Sequence, residues 1–190
     1  MAHWHTSDLG NPFPAKPDPV DRSAFIGAMR RVASSVSVVT TDGLAGRHGA
    51  TVSAFCSVSA DPPTALVCLN ATSRIARLVA ANGSFAINVL PQGAEAIAAR
   101  FAGAEDKRLA DRFEGLDAGP GPVPTIPGAT VLFCRTIEAP VSGTHRIFVG
   151  LVTGLKAGAE RPLAYLDGAY HWVVPQTTKA AMPFAREPAQ

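Results

Sequence analysis

Three segments of the chain carry apolar residues at helical spacing, every three to four positions. The first begins at Asp21 or Ser23, either of which can cap a helix. The second follows Thr72 or Ser73 and stops at Gly83, a residue type common just past helix ends. The three apolar faces comprise Phe25, Ile26, Met29, Val32 and Ala33, then Ile75, Leu78 and Val79, and, within 94–103, Ala94, Ile97, Ala98 and Phe101.

Runs rich in β-branched residues, such as "SVSVVTT" and "TALVCLN", predict strands between turn-forming segments. These strands do not alternate regularly with the helices and they cluster towards the end of the chain. The order therefore favours a mostly β fold, an antiparallel barrel with a few peripheral helices. The predicted strand segments are 35–41, 50–55, 64–70, 84–90, 129–138, 146–155, 161–166 and 170–174.

Proline content and the loss of apolar periodicity set the domain boundaries. Residues 1–20 are interpreted as an N-terminal arm, 21–174 as one folded domain and 175–190 as a C-terminal tail. Inside the domain, 103–127 reads as one long loop that ends in "GPGPVPTIPG". Ordered loops of this length tend to be functional.

Composition allows a substantial core, because the chain of 190 residues is 47% hydrophobic and only 17% charged. The net charge of +2 is spread without a basic run, which argues against nucleic-acid binding. No apolar run reaches the roughly 18 residues of a membrane span, and the N-terminus lacks a signal-peptide core. Three isolated cysteines indicate neither a disulfide framework nor a zinc site. We therefore expect a cytoplasmic protein with no membrane partner and no metal.

Familiar catalytic signatures are missing. The glycines Gly43, Gly46 and Gly49 have the wrong spacing for a Rossmann dinucleotide motif, and neither a P-loop nor a G-x-S-x-G elbow occurs. Three neutral features remain as candidates: the small, hydroxyl-rich stretch "GATVSAFCSVSADPP", the helix start "NATSR" and the strand entry "SGTHRIFVG".

Each candidate has a functional and an ordinary interpretation. Small residues in 49–54 would let the backbone approach a flat cofactor such as a flavin, but a barrel strand with one solvated face has the same composition. The helix start at Ser73 and Arg74 would suit a phosphate, but simple capping explains it equally well. His145 could meet a substrate at a strand entry or lie on the surface.

The segments "VASSVSVVTT", "HGATVSAFCSVSADPPTALVCLN", "SFAINVL", "RFAG", "GTHRIFVGLV" and "PLAYLDGAYH" occur in this order over roughly residues 22–174. Together they resemble the flavin reductase-like family, the FMN-binding split barrels that act as short-chain reductase components of two-component monooxygenases. The resemblance implies an antiparallel split β-barrel, a homodimer, and an NAD(P)H:flavin oxidoreductase. Its substrates would be FMN, with FAD possible, and NADH or NADPH, and the reduced flavin would serve a separate oxygenase component.

The resemblance also implies roles for individual positions. His145 matches a histidine near the nicotinamide pocket and is the one catalytic candidate; no metal ligand is implied. The family usually has Asp where this chain has Thr144, so any partner of the histidine here is neutral. The implied cofactor-binding positions are Ala50, Thr51, Val52, Ser53, Ala54 and Ser59 along the first stretch, Cys68, Leu69 and Asn70 towards the ribityl chain, Ser73 and Arg74 at the phosphate, Arg100 and Phe101 closing the flavin site, and Tyr165, Asp167 and Gly168 beside the nicotinamide pocket.

Two alternatives stay open on the same barrel. One is a flavoenzyme that holds FMN tightly and oxidises a substrate of its own. The other is a non-enzymatic FMN-binding module, a sensor or an electron-transfer partner.

Overall fold

A computed structural model describes residues 18–119, 121–158 and 160–176. Most of the predicted arm and tail, namely 1–17 and 177–190, lies outside the described residues. The three predicted helices are confirmed as α1 (Arg22–Met29), α2 (Arg74–Asn82) and α3 (Glu95–Phe101). The strands are β1 (Ser34–Ser35), β2 (Ser37–Thr41), β3 (His48–Val52), β4 (Phe55–Ala60), β5 (Pro63–Asn70), β6 (Ser84–Val89), β7 (Thr130–Glu138), β8 (Val141–Ser142), β9 (His145–Lys156), β10 (Leu163–Leu166) and β11 (Ala169–Trp172).

The fold is mostly β and antiparallel throughout, as the sequence predicts. One sheet has the order β3-β2-β6-β7-β9-β5-β4, with β8 added to β9, and a smaller sheet has the order β1-β10-β11. The large sheet curls into a half-barrel. Its two end strands, β3 and β4, are consecutive in the chain, so the chain itself crosses the open side of the barrel.

The predicted strand 50–55 is interrupted at this crossing. β3 ends at Val52, Ser53 and Ala54 lie between the strands, and β4 begins at Phe55. β3 pairs only with β2 and β4 only with β5 among the described residues. Backbone groups along the facing edges are therefore left without a strand partner, and such groups can bind a ligand or another chain.

Two hydrophobic clusters cover the two faces of the large sheet. Neighbouring residues Val38 and Val39 of β2 belong to different clusters, which explains why every residue of β2 is buried. One cluster includes Ile75 and Val79 of α2, and the other includes Phe101 of α3. Both helices thus lie against the sheet with the apolar faces that the sequence predicts.

The long predicted loop folds back over the sheet instead of projecting into solvent. Val123 and Ile126 are buried in the cluster that contains Phe101. Buried Asn88 ties the loop down, because its Oδ1 accepts a hydrogen bond from the Ile126 amide at 2.9 Å. In the same region Thr40 Oγ1 donates to the Pro124 carbonyl at 2.6 Å. These contacts fix a loop whose earlier part lies beside β3.

Helix α1 differs from the other two because none of its residues is buried. Asp21 caps it, accepting hydrogen bonds from the amides of Ser23 and Ala24 at 2.9 and 3.0 Å. No residue of its apolar face belongs to either of the two clusters. An isolated helix of this length is marginal in water, so this apolar face needs a partner surface to be stable. The exposed apolar residues of this region are Phe25, Ile26, Met29 and Val32.

Candidate functional site

A cleft of about 340 Å³ opens where the chain crosses the split in the barrel. It is formed by the end of β3, the residues that follow it, the end of β5, the start of α2 and the first residue of β9. Many of the predicted site residues therefore come together, although they span almost 100 positions of sequence. The lining comprises Ala50, Thr51, Val52, Ser53, Ala54, Cys68, Leu69, Asn70, Ser73, Ile75 and His145.

The side chains that line this cleft are mostly small, and none of them is a carboxylate. Ser53 and Ala54 are exposed, and Cys68 N donates to the Ala54 carbonyl at 2.9 Å, which holds the crossing against β5. Thr51 has a different role from the one its hydroxyl suggests, because Oγ1 donates to the Ala98 carbonyl at 2.7 Å. That bond anchors β3 to α3. The Thr51 hydroxyl therefore stabilises the wall of the cleft, and its proton is already engaged.

The start of α2 forms one end of the cleft. Ser73 is the N-cap, as predicted, with its Oγ accepting from Ala76 N at 3.3 Å and donating to the Asn70 carbonyl at 2.6 Å. Asn70 Oδ1 in turn accepts from the amide and hydroxyl of Thr72 at 2.9 and 2.8 Å. Gly83 ends the helix with φ 71°, also as predicted. This network holds the free amides of the first turn at the cleft, where they favour an anion.

His145 enters the cleft from β9. It pairs across the sheet with Asn70, and the Thr144 carbonyl accepts a hydrogen bond from Ala71 N at 3.0 Å. Thr144 Oγ1 lies 3.0 Å from His145 Nδ1. The neutral partner expected from the sequence is therefore in contact with the imidazole. The histidine is exposed, and it forms no ion pair with a carboxylate in the described part of the chain.

A second wall of the region comes from the β10–β11 hairpin. Tyr165 lines a cavity of about 220 Å³ that shares Thr51, Val52 and Ser53 with the cleft. Tyr170, which sequence reasoning missed, lines the same cavity and contacts Tyr165 edge to face, with ring centroids 5.6 Å apart. Asp167 and Gly168 lie in the hairpin turn, and with Tyr165 and Ser53 they line a further cavity of about 250 Å³ beside α1.

Three predicted residues line neither the cleft nor the cavities beside it. Ser59 is at the far end of β4, where its hydroxyl donates to the Asp61 carbonyl at 3.0 Å. Arg100 forms an ion pair with Glu105, with N–O separation of 3.3 Å. Phe101 is fully buried and so presents no surface to a ligand. The geometry gives no direct contact between these residues and the cleft.

Phe101 instead supports β3 from behind. Its ring meets Phe113 edge to face at 5.0 Å, and a Cβ added to Gly49 would lie 2.6 Å from the Phe101 ring. Gly49 is therefore needed for packing of an aromatic side chain, whereas its position in the small-residue stretch suggested approach to a ligand. The "RF" segment contributes to the site indirectly, by fixing the strand that forms the cleft.

A larger cavity of about 600 Å³, here called the arginine cavity, lies beside the cleft. Arg74, predicted to meet a phosphate, lines this cavity, whereas its neighbour Ser73 lines the cleft. Sequence reasoning missed the other members because they come from the start of β3 with the residue before it and from the long loop, more than 50 positions apart. The full lining is Arg47, His48, Arg74, Asp106, Leu109, Ala110, Asp111 and Arg112.

Arg112 organises the arginine cavity. Its guanidinium binds Asp106 through two hydrogen bonds of 2.8 and 2.6 Å, and Nη1 donates to the carbonyls of Gly49 and Phe101 at 3.0 and 2.6 Å. The long loop is thereby fastened to β3 and α3. The bond from Arg112 lowers the pKa of the Asp106 carboxyl below its ordinary value. Asp106 is therefore ionised throughout the neutral range.

Positive potential in the arginine cavity acts on His48. Burial, followed by the charges of Arg112 and Arg74, lowers the pKa of His48 to about 4. The imidazole is consequently neutral at pH 7. Arg47 forms an ion pair with Asp111 and stands over the Phe113 ring, 5.1 Å from its centroid. Two of the three guanidiniums thus have carboxylate partners and the third is Arg74.

The cleft suits a flat, neutral ring joined to an anion. Small side chains at Ala50, Ser53 and Ala54 leave room for a ring beside exposed backbone. At the Ser73 end, the free amides of the first turn of α2 can bind an anion. The titratable side chains in the lining are Cys68 and His145. Flavin and its phosphate fit this donor set. Within the described residues no cluster of His, Cys, Asp and Glu could hold a metal ion, and no helix is long and apolar enough to cross a membrane.

Comparison with known proteins identifies related sequences over nearly the whole chain. The sequence model of the flavin reductase like domain matches residues 29–173. An FMN reductase (NADH) RutF from Ancylobacter novellus is 39% identical over 178 residues, which cover 91% of this chain and 97% of the relative.

Solved structures share the fold. The NADH:FAD oxidoreductase SgcE6 of Streptomyces globisporus C-1027 superposes with a TM-score of 0.76 at 27% identity, covering 90% of this chain and 98% of that one. BorF, the flavin reductase component of a bacterial two-component tryptophan halogenase, gives a TM-score of 0.70 at 27% identity, with 82% of this chain and 100% of that one covered.

Proposed function

Because the chain belongs to the flavin reductase like domain family, we propose that it is an NADH:flavin oxidoreductase that passes hydride from NADH to FMN or FAD. The observation that carries this function is the cleft at the split of the barrel. There the small residues after β3, the amides of α2 and the imidazole of His145 face one space. NADH is the favoured nicotinamide because two of the related proteins reported above carry NADH in their names.

Different residues of the cleft would bind different parts of the flavin. The stretch from Ala50 to Ala54 would lie along the ring, with backbone groups of the unpaired strand edge as polar partners. Ser73 and the first amides of α2 would hold the phosphate. The acceptor chemistry is supplied by the flavin ring, and the protein contributes orientation and exclusion of water.

In this proposal His145 positions the nicotinamide and does not transfer a proton. Thr144 contacts Nδ1, so Nε2 is the ring nitrogen that would bind the nicotinamide. A hydride step requires the two rings at contact distance in a fixed orientation, and it requires no side-chain acid or base. The Tyr165–Tyr170 pair across Ser53 would form the other side of the nicotinamide space.

Turnover with free flavin separates this function from its two rivals. Catalytic amounts of protein mixed with NADH and free FMN or FAD should oxidise many equivalents of NADH. The loss of nicotinamide absorbance measures this oxidation. A protein that stays yellow after gel filtration and oxidises no NADH would instead support the tightly bound flavoenzyme or the non-enzymatic module.

The working form is a homodimer in this proposal. The unburied apolar face of α1 and the exposed strand β4 border the cleft region, and Met29 and Ser53 line one cavity together. Light scattering should give about twice 19.7 kDa. Met29→Asp should shift the protein towards monomer, whereas Leu44→Asp, at a fully exposed turn, should not. A wild-type monomer that binds flavin normally would refute the dimer.

The product of the reaction would leave for an oxygenase component in the cytoplasm. The name of BorF, a reductase component of a two-component halogenase, supports this assignment. Free thiols at Cys56, Cys68 and Cys134 suit a reducing compartment. Anaerobic turnover behind a dialysis membrane that retains protein should deliver reduced flavin to the outer chamber. Reduced flavin that stays with the protein would argue against a diffusible product.

A further inference from the structure

We propose that Arg112 is a positioning residue for the reaction, acting through the carbonyl of Gly49 on the strand whose continuation forms a wall of the cleft. The inference rests on the proposed function, because it identifies a residue that sets the geometry of that same site. Arg112 belongs to the long loop and does not line the cleft. Its effect on the flavin is therefore transmitted by β3 and requires no contact with the ligand.

The first argument is the use of the guanidinium donors. Nε and Nη2 of Arg112 bind the Asp106 carboxylate at 2.8 and 2.6 Å, and Nη1 reaches the carbonyls of Gly49 and Phe101 at 3.0 and 2.6 Å. A guanidinium has about five N–H groups, so most of them are engaged by the protein itself. The Arg112 side chain is also only 15% exposed. Its contacts are those of a residue that holds chain segments together.

The second argument is the position of Gly49 in the sheet. β3 pairs only with β2 among the described residues, so the sheet fixes it from one side. Arg112 supplies a donor from outside the sheet, directly before Ala50, the first residue of the cleft lining. Thr51 Oγ1, which donates to the Ala98 carbonyl, adds a second tie two residues later. These two ties take the place of a second neighbouring strand.

The third argument is the backbone at Gly103, which passes close to the ion pair. Its φ of 101° lies in the region that favours glycine. A Cβ added to Gly103 would lie 3.0 Å from Asp106 Oδ2 and 3.1 Å from Arg112 Nη2. The chain after α3 is thus shaped around both partners. Asp106 binds Arg112 through two parallel hydrogen bonds, a geometry that fixes the plane of the guanidinium as well as its position.

Two conservative substitutions test the proposal. Arg112→Lys keeps the positive charge but loses the planar fork that binds a carboxylate and two carbonyls together. Asp106→Asn removes a negative charge and one acceptor, which loosens the orientation of Arg112. Each variant should raise the dissociation constants of riboflavin and FMN by the same factor, about tenfold, because the wall of the cleft shifts. The kcat for NADH oxidation should fall about tenfold or more, because hydride transfer depends on ring placement.

A direct effect of charge on the flavin phosphate predicts a different pattern. On that account Arg112→Lys leaves FMN affinity unchanged, Asp106→Asn tightens FMN, and riboflavin, which has no phosphate, responds to neither substitution. Under the positioning role both variants weaken both ligands. The double variant should moreover resemble Arg112→Lys alone, because Asp106 acts through Arg112 and the two effects are not additive.

Arg108→Lys and Asp117→Asn are the matched controls. Arg108 and Asp117 are exposed residues of the same loop and line none of the cavities described above. Titration of riboflavin and FMN fluorescence with the full chain gives both dissociation constants without turnover, and urea unfolding gives the stability of each variant. Both controls should bind the two ligands as the wild type does.

The outcomes separate this inference from the proposed function. Equal weakening of riboflavin and FMN with slower turnover in Arg112→Lys and Asp106→Asn, beside unchanged controls, supports the positioning role. Wild-type affinities and kcat, with or without lower stability, would show that Arg112 only fastens the loop. That result overturns the inference, and so does the pattern expected from charge. In both cases NADH oxidation with free FMN would still uphold the reductase. Equal weakening of the two ligands in a protein that oxidises no NADH would uphold the effect on flavin binding and contradict the reductase.

Discussion

Thr144 Oγ1 lies 3.0 Å from His145 Nδ1, at the point where the chain enters β9 and the imidazole reaches the cleft. Thr144 stands where the resembling family usually has aspartate. A hydroxyl can donate to or accept from the ring nitrogen, but it adds no charge. The contact therefore orients His145 through one neutral hydrogen bond, and its energetic weight is correspondingly small.

Because that hydrogen bond is weak, removing it should raise the KM for NADH only modestly. Thr144→Val keeps the shape of the side chain and deletes the hydroxyl, so the KM for NADH should rise about threefold, within the roughly 0.5–1.5 kcal/mol of a neutral bond. Thr144→Ser retains the hydroxyl and should restore the wild-type KM. If Val and Ser variants behave alike in steady-state kinetics, the hydroxyl does not position the histidine.

Loss of the imidazole itself should have a larger effect on NADH than on flavin. His145→Ala should raise the KM for NADH roughly threefold to tenfold and lower kcat, because a misplaced nicotinamide falls outside hydride range. His171→Ala, at an exposed position of β11, is the control and should leave both constants unchanged. Wild-type NADH kinetics in His145→Ala, beside a normal flavin titration, would remove His145 from the site.

Packing behind β3 makes Gly49 sensitive to any added side chain. Gly49→Ala places a Cβ 2.6 Å from the Phe101 ring and should lower the free energy of unfolding by about 1–3 kcal/mol, the usual cost of overpacking. Gly27→Ala in α1 meets nothing within 4 Å and should be neutral or slightly stabilising. Urea unfolding of the two variants gives the comparison. Equal stability of both would mean that Phe101 does not constrain β3.

The neutral state of His48 predicts a dependence of stability on pH. Its folded pKa of about 4 lies below the ordinary value of 6.5, so the unfolded chain binds the proton more readily. The stabilisation is complete above pH 6.5 and is lost as the pH falls from 6.5 towards 4. The carboxyls of Asp106 and Asp111, whose pKa values are lowered below 3.8, titrate beneath this window, and Arg74 and Arg112 stay charged.

Replacing His48 by Gln removes that proton-binding group. The free energy of unfolding of wild type should therefore decline more between pH 7 and pH 5 than that of His48→Gln, measured by urea unfolding at both values. Parallel declines in the two proteins would show that His48 is protonated as easily in the folded protein as in the unfolded chain.

Features set by neighbouring residues could be predicted from the sequence. The cap at Ser73, the αL end at Gly83 and the contact between Thr144 and His145 all depend on local chemistry, and each occurs as expected. The cleft is likewise lined by the string of small residues at and after the end of β3. A ligand site at these residues could be predicted only from the family resemblance, because their composition alone fits a solvated strand equally well.

Features that depend on distant chain segments were not predictable in this way. The break at Ser53 and Ala54 divides a stretch whose β-branched and small residues favour one continuous strand. The arginine cavity exists because Arg112, in a long loop, reaches back to the carbonyl of Gly49. Phe101 is an apolar residue on a helix, and nothing in its spacing indicates that it packs behind a cleft.

Filling the cleft tests the central claim, that flavin binds where the chain crosses the split barrel and accepts hydride there. Ala54 is exposed, so Ala54→Trp should fold normally while its indole occupies the space of the ring. Leu155→Trp, at the exposed far end of β9, is the matched control. NADH oxidation with free FMN should persist in wild type and Leu155→Trp and fall at least a hundredfold in Ala54→Trp, about 2.7 kcal/mol or more. Wild-type turnover and flavin affinity in Ala54→Trp would contradict the account.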